Sequence, residues 1–302
     1  MAGTTSTAEA HPKQAATTRL AGRSLATLSL DEMQELNVEL ASWAPADILS
    51  FLRGTGTPDV VQFTSFGLSG LVTVDLLHTI GWRIPTVFVD TLHHFEETLA
   101  LKERLKARYA LDLRVFGPGT ASTREEYEAL YGPQHWVTDS ELYQYITKEE
   151  PTDRALVETG ARVWITGRRR SQGDERSGLQ ILEVEDDGTI KVNPIAWLTF
   201  GEVQEYIQRN DVPYNVLVDQ GYKSIGDFHS TVAGVTNSGG ERAGRWAGQV
   251  RTECGMHNRR SSSQASLSPS PPATRTSSNN YEEDTSGQKA AFPASASAIP
   301  VA

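Results

Sequence analysis

Cys254 is the only cysteine in the 302-residue chain, and it stands in Arg-Thr-Glu-Cys-Gly-Met-His, residues 251–257. A single cysteine closes no internal disulfide and builds no four-cysteine metal site. It is either a buried spectator or a nucleophile. Its setting favours the nucleophile. Residues 241–260 carry five arginines against two glutamates, in a chain whose net charge is −10. Nearby cations lower a thiol pKa and raise the thiolate fraction. No long apolar run surrounds Cys254, which argues against a core position. A thiol in a local positive island suits attack on an anionic substrate.

Three further stretches hold chemistry-bearing residues. Ser65-Phe66-Gly67-Leu68-Ser69-Gly70 combines small residues with hydroxyls. If it opens a helix, its amides can receive an oxyanion. It lacks the Gly-Lys-Ser/Thr ending of a Walker loop, which weakens a kinase or ATPase reading. Arg168, Arg169 and Arg170 are consecutive in Gly167–Gly173. Their mutual repulsion is relieved by an anion, and the guanidinium fork fits phosphate and sulfate. The alternative is a solvated basic turn partly neutralised by Asp174 and Glu175. His93 and His94 adjoin Asp90 and Glu96. Adjacent histidines rarely share one ion from a strand–helix turn, and no further ligands fall at zinc spacing, so no metal is expected. Tyr222, beside Lys223, is either a phenol near an anion or a packed loop aromatic.

These stretches need a scaffold that brings them together. Val60–Thr64, Thr86–Val89, Leu113–Phe116 and Arg162–Thr166 read as short apolar strands. Helical patterns precede and separate them: Ser29 and Glu32 form a capping box for a helix through about Ala41, and Pro45 opens a second one to Arg53. Others lie near 70–80, 95–109, 122–131 and 139–159, and over Phe200–Arg209. Ile181–Val184 and Thr189–Val192 read as a hairpin across Asp186-Asp187-Gly188. Strands alternating with helices imply an α/β fold, a twisted and mostly parallel sheet with helices on both faces. In such sheets ligands bind beyond the carboxyl ends of the strands. Ser65–Gly70, Asp90–His94 and the arginine loop each follow a strand.

Bulk properties bound the rest. The chain is 38% hydrophobic and 22% charged, within the soluble globular range. No apolar run approaches the ~18 residues of a membrane span. An acidic pI near 5.2 argues against general nucleic-acid binding while leaving room for a local anion patch. One cysteine fits a reducing compartment, so a cytoplasmic location is expected. Residues 1–28 are rich in Ala, Thr and Ser, hold Lys13, Arg19 and Arg23, and lack an apolar signal core. They are expected to be a disordered tail, with a mitochondrial presequence as the alternative. Residues 259–302 hold eleven serines and five prolines, and are expected to be disordered. The folded body is placed at 29–258, as one domain.

SFGLSG, VDTLHHF, TGRRRSQG, VPYNVLVDQGYKSIGDFHS, ERAGRW and TECGMH, in that order, resemble the fungal phosphoadenylyl-sulfate (PAPS) reductase family. The resemblance covers about 45–258. It implies a Rossmann-like fold of the adenine-nucleotide α-hydrolase type, a homodimer, and reduction of PAPS to sulfite and adenosine 3′,5′-bisphosphate. By that resemblance Cys254 forms an S-sulfocysteine, and a thiol of reduced thioredoxin then releases sulfite. A chain with one thiol needs a partner to close a disulfide. Relatives acting on adenylyl sulfate typically hold a [4Fe–4S] cluster on four cysteines, which one cysteine cannot supply. The resemblance therefore favours PAPS and implies no cluster, flavin or metal.

The same resemblance implies the site residues. Ser65, Gly67, Ser69 and Gly70 would line the sulfate or phosphate pocket. Asp90, Thr91, Leu92 and His93 would border the nucleotide, and Arg168, Arg169 and Arg170 would bind phosphate. Arg242 and Arg245, with Trp246, belong to a segment (241–258) that would close over the site. Tyr222 and His257 would position the sulfuryl group or support the thiolate. Glu253 receives no activating role, because its charge would raise the thiol pKa. The competing readings are an ATP-dependent adenylating enzyme or sulfate adenylyltransferase subunit of the same superfamily, and a silent nucleotide-binding regulator.

Overall fold

The computed structural model describes Leu20 and residues 23–234, 240–245, 253 and 255–257. Cys254 and Trp246, the tail 259–302 and nearly all of residues 1–22 lie outside the described residues.

Local chemistry accounts for most elements. Helix α1 (Leu30–Leu40) starts at a capping box in which Ser29 and Glu32 satisfy each other's amides, and it buries Met33, Leu36 and Leu40 on one face. Helix α2 (Pro45–Gly54) has proline in its first turn, where the missing N–H costs nothing. Strand β1 (Val60–Phe63) leads into α3 (Leu68–Thr79), β2 (Thr86–Val89) into α4 (Glu96–Tyr109), and β3 (Leu113–Phe116) into α5 (Arg124–Tyr131).

The helix expected over 139–159 is present over 140–159, with a π turn in it. Short helices α6 (His135–Thr138) and α7 (Ser140–Gln144) lead into a π-helical turn at Tyr145–Glu149, followed by α8 (Glu150–Thr159). Pro151 has no N–H to return to residue 147, so the regular ladder cannot run through. The widened turn buries Thr147, Lys148 and Glu149 instead of exposing a polar face. Strands β4 (Val163–Ile165), β5 (Leu182–Val184) and β6 (Ile190–Val192) follow, then α9 (Phe200–Arg209) behind a second capping box, Thr199 with Glu202.

The six strands are ordered β3-β2-β1-β4-β6-β5. All neighbours are parallel except the β5–β6 pair, the expected hairpin, which registers Leu182 on Val192 and Val184 on Ile190. Residue alternation divides the core. Val60, Phe88, Val163, Ile165, Ile190 and Val192 face the larger cluster with α1, α2, α3 and α9. Val61, Phe63, Val87, Val89 and Trp164 face the smaller one with Ala155 and Leu156 of α8. The chain leaves β1 toward β2 and leaves β4 toward β6, so the topological switch lies between β1 and β4, where a crevice opens.

The ordered body begins before residue 29. Leu25 is buried in the main cluster, its N–H donates to Thr57 Oγ1 at 3.1 Å, and Arg23 pairs with Glu32 at 2.7 Å. Low hydrophobicity marked this stretch as a tail, but one apolar residue with a capped turn around it suffices to dock it. Leu20 joins the same cluster.

Candidate functional site

A cavity opens at the β1–β4 switch, lined by both strand-end loops, by 223–227 and by the described parts of the C-terminal segment. After β1, Thr64 Oγ1 accepts the N–H of Phe66 at 2.9 Å and turns the chain. Phe66 adopts a left-handed backbone (φ 56°), an unfavourable state for a non-glycine residue, held by burial and by stacking on Phe88 at 5.6 Å. Helix α3 then starts at Gly67 with no side-chain cap. Its first amides, at Leu68, Ser69 and Gly70, line the cavity and offer N–H groups and the positive end of the helix dipole to an anion. The β4 loop approaches so closely that a Cβ on Gly167 would stand 2.7 Å from the Gly70 nitrogen, so glycine is required there.

The arginines divide. Arg168 pairs with Glu183 and donates from Nε to Asn193 Oδ1 at 3.3 Å. Arg169 is 1% exposed and donates from Nε to Ser69 Oγ (2.9 Å), from Nη1 to Ser171 Oγ (2.6 Å) and the Leu198 carbonyl (3.2 Å), and from Nη2 to both oxygens of Glu241 (2.6 and 2.7 Å). Both line the cavity. Arg170 does not: its Nε donates to the Leu179 carbonyl and its guanidinium lies 3.7 Å from the Trp197 ring centre. Arg170, which opens the 3₁₀ turn Arg170–Gln172 after extended Arg169, thus faces away from the cavity.

The C-terminal segment meets this cradle on both sides of Cys254. Glu253 is buried and accepts from Arg176 at 2.5 and 2.7 Å and from Arg242 at 3.2 and 3.4 Å. Burial alone would push its carboxyl up; the Arg176 hydrogen bonds and the surrounding cationic charge hold it far below the usual carboxylate range. The Gly255 amide donates to Gln144 Oε1 at 3.3 Å, and a Cβ there would stand 2.8 Å from Glu149. Met256 packs on the smaller core cluster, and the His257 ring stacks on Trp164 at 5.7 Å. Burial, then the charge of Arg168, pushes the His257 imidazole well below its ordinary pKa, so it is neutral at pH 7. Arg245 donates to the Ile225 carbonyl and lies against Gly226.

The loop after β2 behaves differently. Thr91 lines the cavity and donates to Asp227 Oδ1 at 2.7 Å. Asp90 instead accepts the Leu92 amide at 2.9 Å, and Leu92 (φ 64°) packs into the aromatic cluster with Tyr127 and Tyr143. His93 is fully buried among Tyr127, Trp136, Tyr143 and His229. Asp90, Leu92 and His93, expected at the nucleotide, do not line this cavity. Tyr222 is likewise turned onto Phe95, at 5.7 Å, while Lys223 and Ser224 line the cavity. Asp227 is the hub of this region. Burial raises its pKa, but Lys148 at 2.6 Å, with His94 and His229 around it, holds the carboxyl far below the usual range.

Seven cations therefore line the cavity among the described residues (Lys148, Arg168, Arg169, Arg176, Lys223, Arg242 and Arg245), against three carboxylates, Asp227, Glu241 and Glu253. Such an excess in a crevice rimmed by helix amides selects polyanions. The model of the phosphoadenosine phosphosulfate reductase domain matches residues 59–233. The chain belongs to this family. The phosphoadenosine phosphosulfate reductase of Emericella nidulans is 45% identical over 234 residues, 76% of each chain. That of Saccharomyces cerevisiae is 41% identical over 76% of this chain and 89% of its own. The adenosine 5′-phosphosulfate reductase of Oceanobacillus iheyensis is 40% identical over 71% and 91%. In structure, the phosphate complex of the PAPS reductase from Candida auris is 38% identical, covers 69% of this chain and 100% of that one, and superposes with a TM-score of 0.64. The FMN adenylyltransferase of Candida glabrata, at 14% identity and a TM-score of 0.50, shares the fold alone.

Family membership makes the chain an oxidoreductase of sulfate assimilation. Sequence reading missed Lys148, Arg176, Asp227 and Glu241 as parts of the site. Asp227 and Glu241 fall in quoted motifs, GYKSIGDFHS and ERAGRW, where a charged residue among glycines was the available signal. Lys148 and Arg176 sit in ordinary polar surroundings with no spacing to mark them.

Proposed function

We propose that the chain reduces 3′-phosphoadenylyl sulfate to sulfite and adenosine 3′,5′-bisphosphate, with Cys254 as nucleophile and a thioredoxin dithiol as reductant. The observation that carries the reading is the convergence of the uncapped α3 amides, Arg168, Arg169 and the residues on both sides of Cys254 on one cavity. In the first half-reaction the Cys254 thiolate attacks the sulfuryl sulfur. The S–O bond to the nucleotide phosphate breaks, an S–S bond forms, and adenosine 3′,5′-bisphosphate leaves. In the second, a thioredoxin thiolate attacks Cys254 Sγ and sulfite departs with the electron pair, so the sulfuryl sulfur gains two electrons. The second thioredoxin thiol then closes the partner's disulfide and returns the Cys254 thiolate.

Glu253, adjacent in the chain to Cys254, has its charge matched by Arg176 and Arg242, which supports a depressed thiol pKa despite the neighbouring carboxylate. Neutral His257 brings no imidazolium charge, so the cationic support falls to the arginines. The same reading makes the enzyme a cytoplasmic homodimer that uses no metal, flavin or cluster.

The relatives' names divide between PAPS and adenosine 5′-phosphosulfate, and the fungal ones favour PAPS. Intact-protein mass spectrometry after mixing with PAPS, without thioredoxin, tests the reaction. A sulfonate adduct mapping to Cys254 and cleared by thioredoxin is expected; Cys254→Ser should bind nucleotide yet release no sulfite. Full activity in that variant ends the proposal. A larger kcat/KM with adenylyl sulfate than with PAPS would move the substrate assignment and leave the nucleophile in place.

A further inference from the structure

Of the three consecutive arginines, Arg168 alone combines a place on the cavity wall with an unused guanidinium edge. Its Nε donates to Asn193 Oδ1 at 3.3 Å and its Nη2 to Glu183 Oε2. Nη1 has no protein partner among the described residues and is not sealed from solvent. Arg169, by contrast, commits all three nitrogens to Ser69, Ser171, Leu198 and Glu241. Both anchors of Arg168 come from the β5–β6 hairpin, and neither of them lines the cavity. Asn193 is 0% exposed and uses its whole amide. Oδ1 also accepts from Thr166 Oγ1 at 2.6 Å, and Nδ2 donates to the Gln180 carbonyl at 2.8 Å and to Glu183 Oε2 at 2.9 Å. A flipped amide would set its NH₂ against the Arg168 N–H and its oxygen against two acceptors, so the network admits one orientation. Burial works against the Arg168 charge and lowers its pKa; the Glu183 carboxylate is the strongest influence the other way.

We propose that Asn193 is a positioning residue for nucleotide binding: from outside the cavity it fixes the plane of the Arg168 guanidinium, so that the Nη1 edge is presented to a phosphate or sulfate group of the nucleotide. This rests on the reading above, in which the cavity takes an anionic nucleotide. Asn193 directly follows β6, at the carboxyl end of the sheet where α/β folds place binding residues. Strand β6 lies one strand beyond the switch, so Asn193 holds the arginine that lines the crevice instead of lining it itself. A guanidinium oriented in advance loses less freedom when an anion binds it.

The test is a double-mutant cycle, read by calorimetric titration of adenosine 3′,5′-bisphosphate into the full chain. Arg168→Ala should weaken binding about 30-fold and Asn193→Ala about fivefold. If Asn193 acts through Arg168, the double variant binds within about twofold of Arg168→Ala. In sulfite release, Asn193→Ala should raise KM and leave kcat within about twofold. Asn193→Ser, too short to reach Arg168 Nε, carries the same comparison if the Ala variant fails to fold. Effects that multiply in the double variant, to about 150-fold, overturn the positioning role, because independent sites add in free energy. Unchanged affinity in the Asn193 variants, with wild-type binding intact, overturns it as well. Either result leaves the functional reading standing. No binding of the nucleotide by the wild-type chain overturns both.

Discussion

After β1 the chain turns at Thr64–Gly67 and opens a helix whose first amides face the cavity. After β2, one strand away, it turns at Asp90–Leu92 and runs into a buried network of aromatic rings, histidines and Asp227. Both loops leave the carboxyl ends of parallel strands, and both hold a non-glycine residue in the left-handed region, Phe66 and Leu92. Only the first borders the switch between β1 and β4, where departing chains leave a crevice. The β2 loop is flanked by strands that both continue in the same direction, so its polar groups are covered by α6, α7 and the 227–229 turn. The carboxyl end of a strand is thus a necessary address for the site and an insufficient one. The cradle gathers the cavity's amides and cations; the neighbouring network holds the wall of the cradle in place.

Substitutions that separate binding from stability put this division at risk. The largest effect is expected at Asp227. Asp227→Asn leaves Lys148 buried beside a neutral amide, which should cost about 3–5 kcal/mol and lower the melting temperature by roughly 10 °C or more. A change under 1 kcal/mol would remove Asp227 from its place as hub. In the cradle, Gly167→Ala drives a methyl into the Gly70 backbone and moves the β1 and β4 loops apart. Turnover should fall about 10²-fold, by steady-state sulfite release, while stability falls by only ~1–3 kcal/mol. If the Asp227 variant lost activity at full stability and the Gly167 variant the reverse, the two regions would have exchanged roles.

A smaller effect comes from pH. Burial lowers the His229 pKa to about 4, and burial lowers that of His93 too. Both rings are neutral in the fold, while in the unfolded chain they titrate near 6.5. Between about 4 and 6.5 the unfolded state binds more protons, so stability rises with pH across that window and is fully present above it. Denaturant melts should lose about 1–3 kcal/mol on going from pH 7 to pH 4.5. His229→Phe should flatten that slope, and an unchanged slope would place the acid sensitivity elsewhere. The smallest effects are expected at Arg170 and Tyr222. Arg170→Ala and Tyr222→Phe should change kcat/KM less than about threefold, since surface substitutions away from a site are worth ~0.5 kcal/mol. A loss equal to that of Gly167→Ala would return them to the cradle.

Most elements were legible from local signals. Ser29 with Glu32, Pro45 and the Asp186-Asp187-Gly188 turn each announce a boundary through backbone chemistry confined to a few residues, and the structure places α1, α2 and the β5–β6 hairpin there. The region 139–159 was legible as helical, but the π turn inside it was not, because a cluster from distant segments buries Lys148 and Glu149 there. In the site, glycine and hydroxyl residues at strand ends were readable because helix amides and close approach demand them. The individual arginines were not. Arg168, Arg169 and Arg170 are identical in type and adjacent in sequence. Their partners (Glu183, Glu241 and the Leu179 carbonyl) lie 9 to 72 residues away.

The sequence alone determined the alternation of strands and helices, the loops at the strand ends, and the solitude of Cys254, because these depend on residue type and spacing along the chain. Only the tertiary structure decided which of those loops border the crevice, which two of the three consecutive arginines face it, and that Glu241 and Glu253 occupy guanidiniums around it. The reason is physical. Backbone periodicity is a short-range property, whereas the pairing of buried charges is settled by which distant segments the fold makes neighbours, and no spacing in the chain records that.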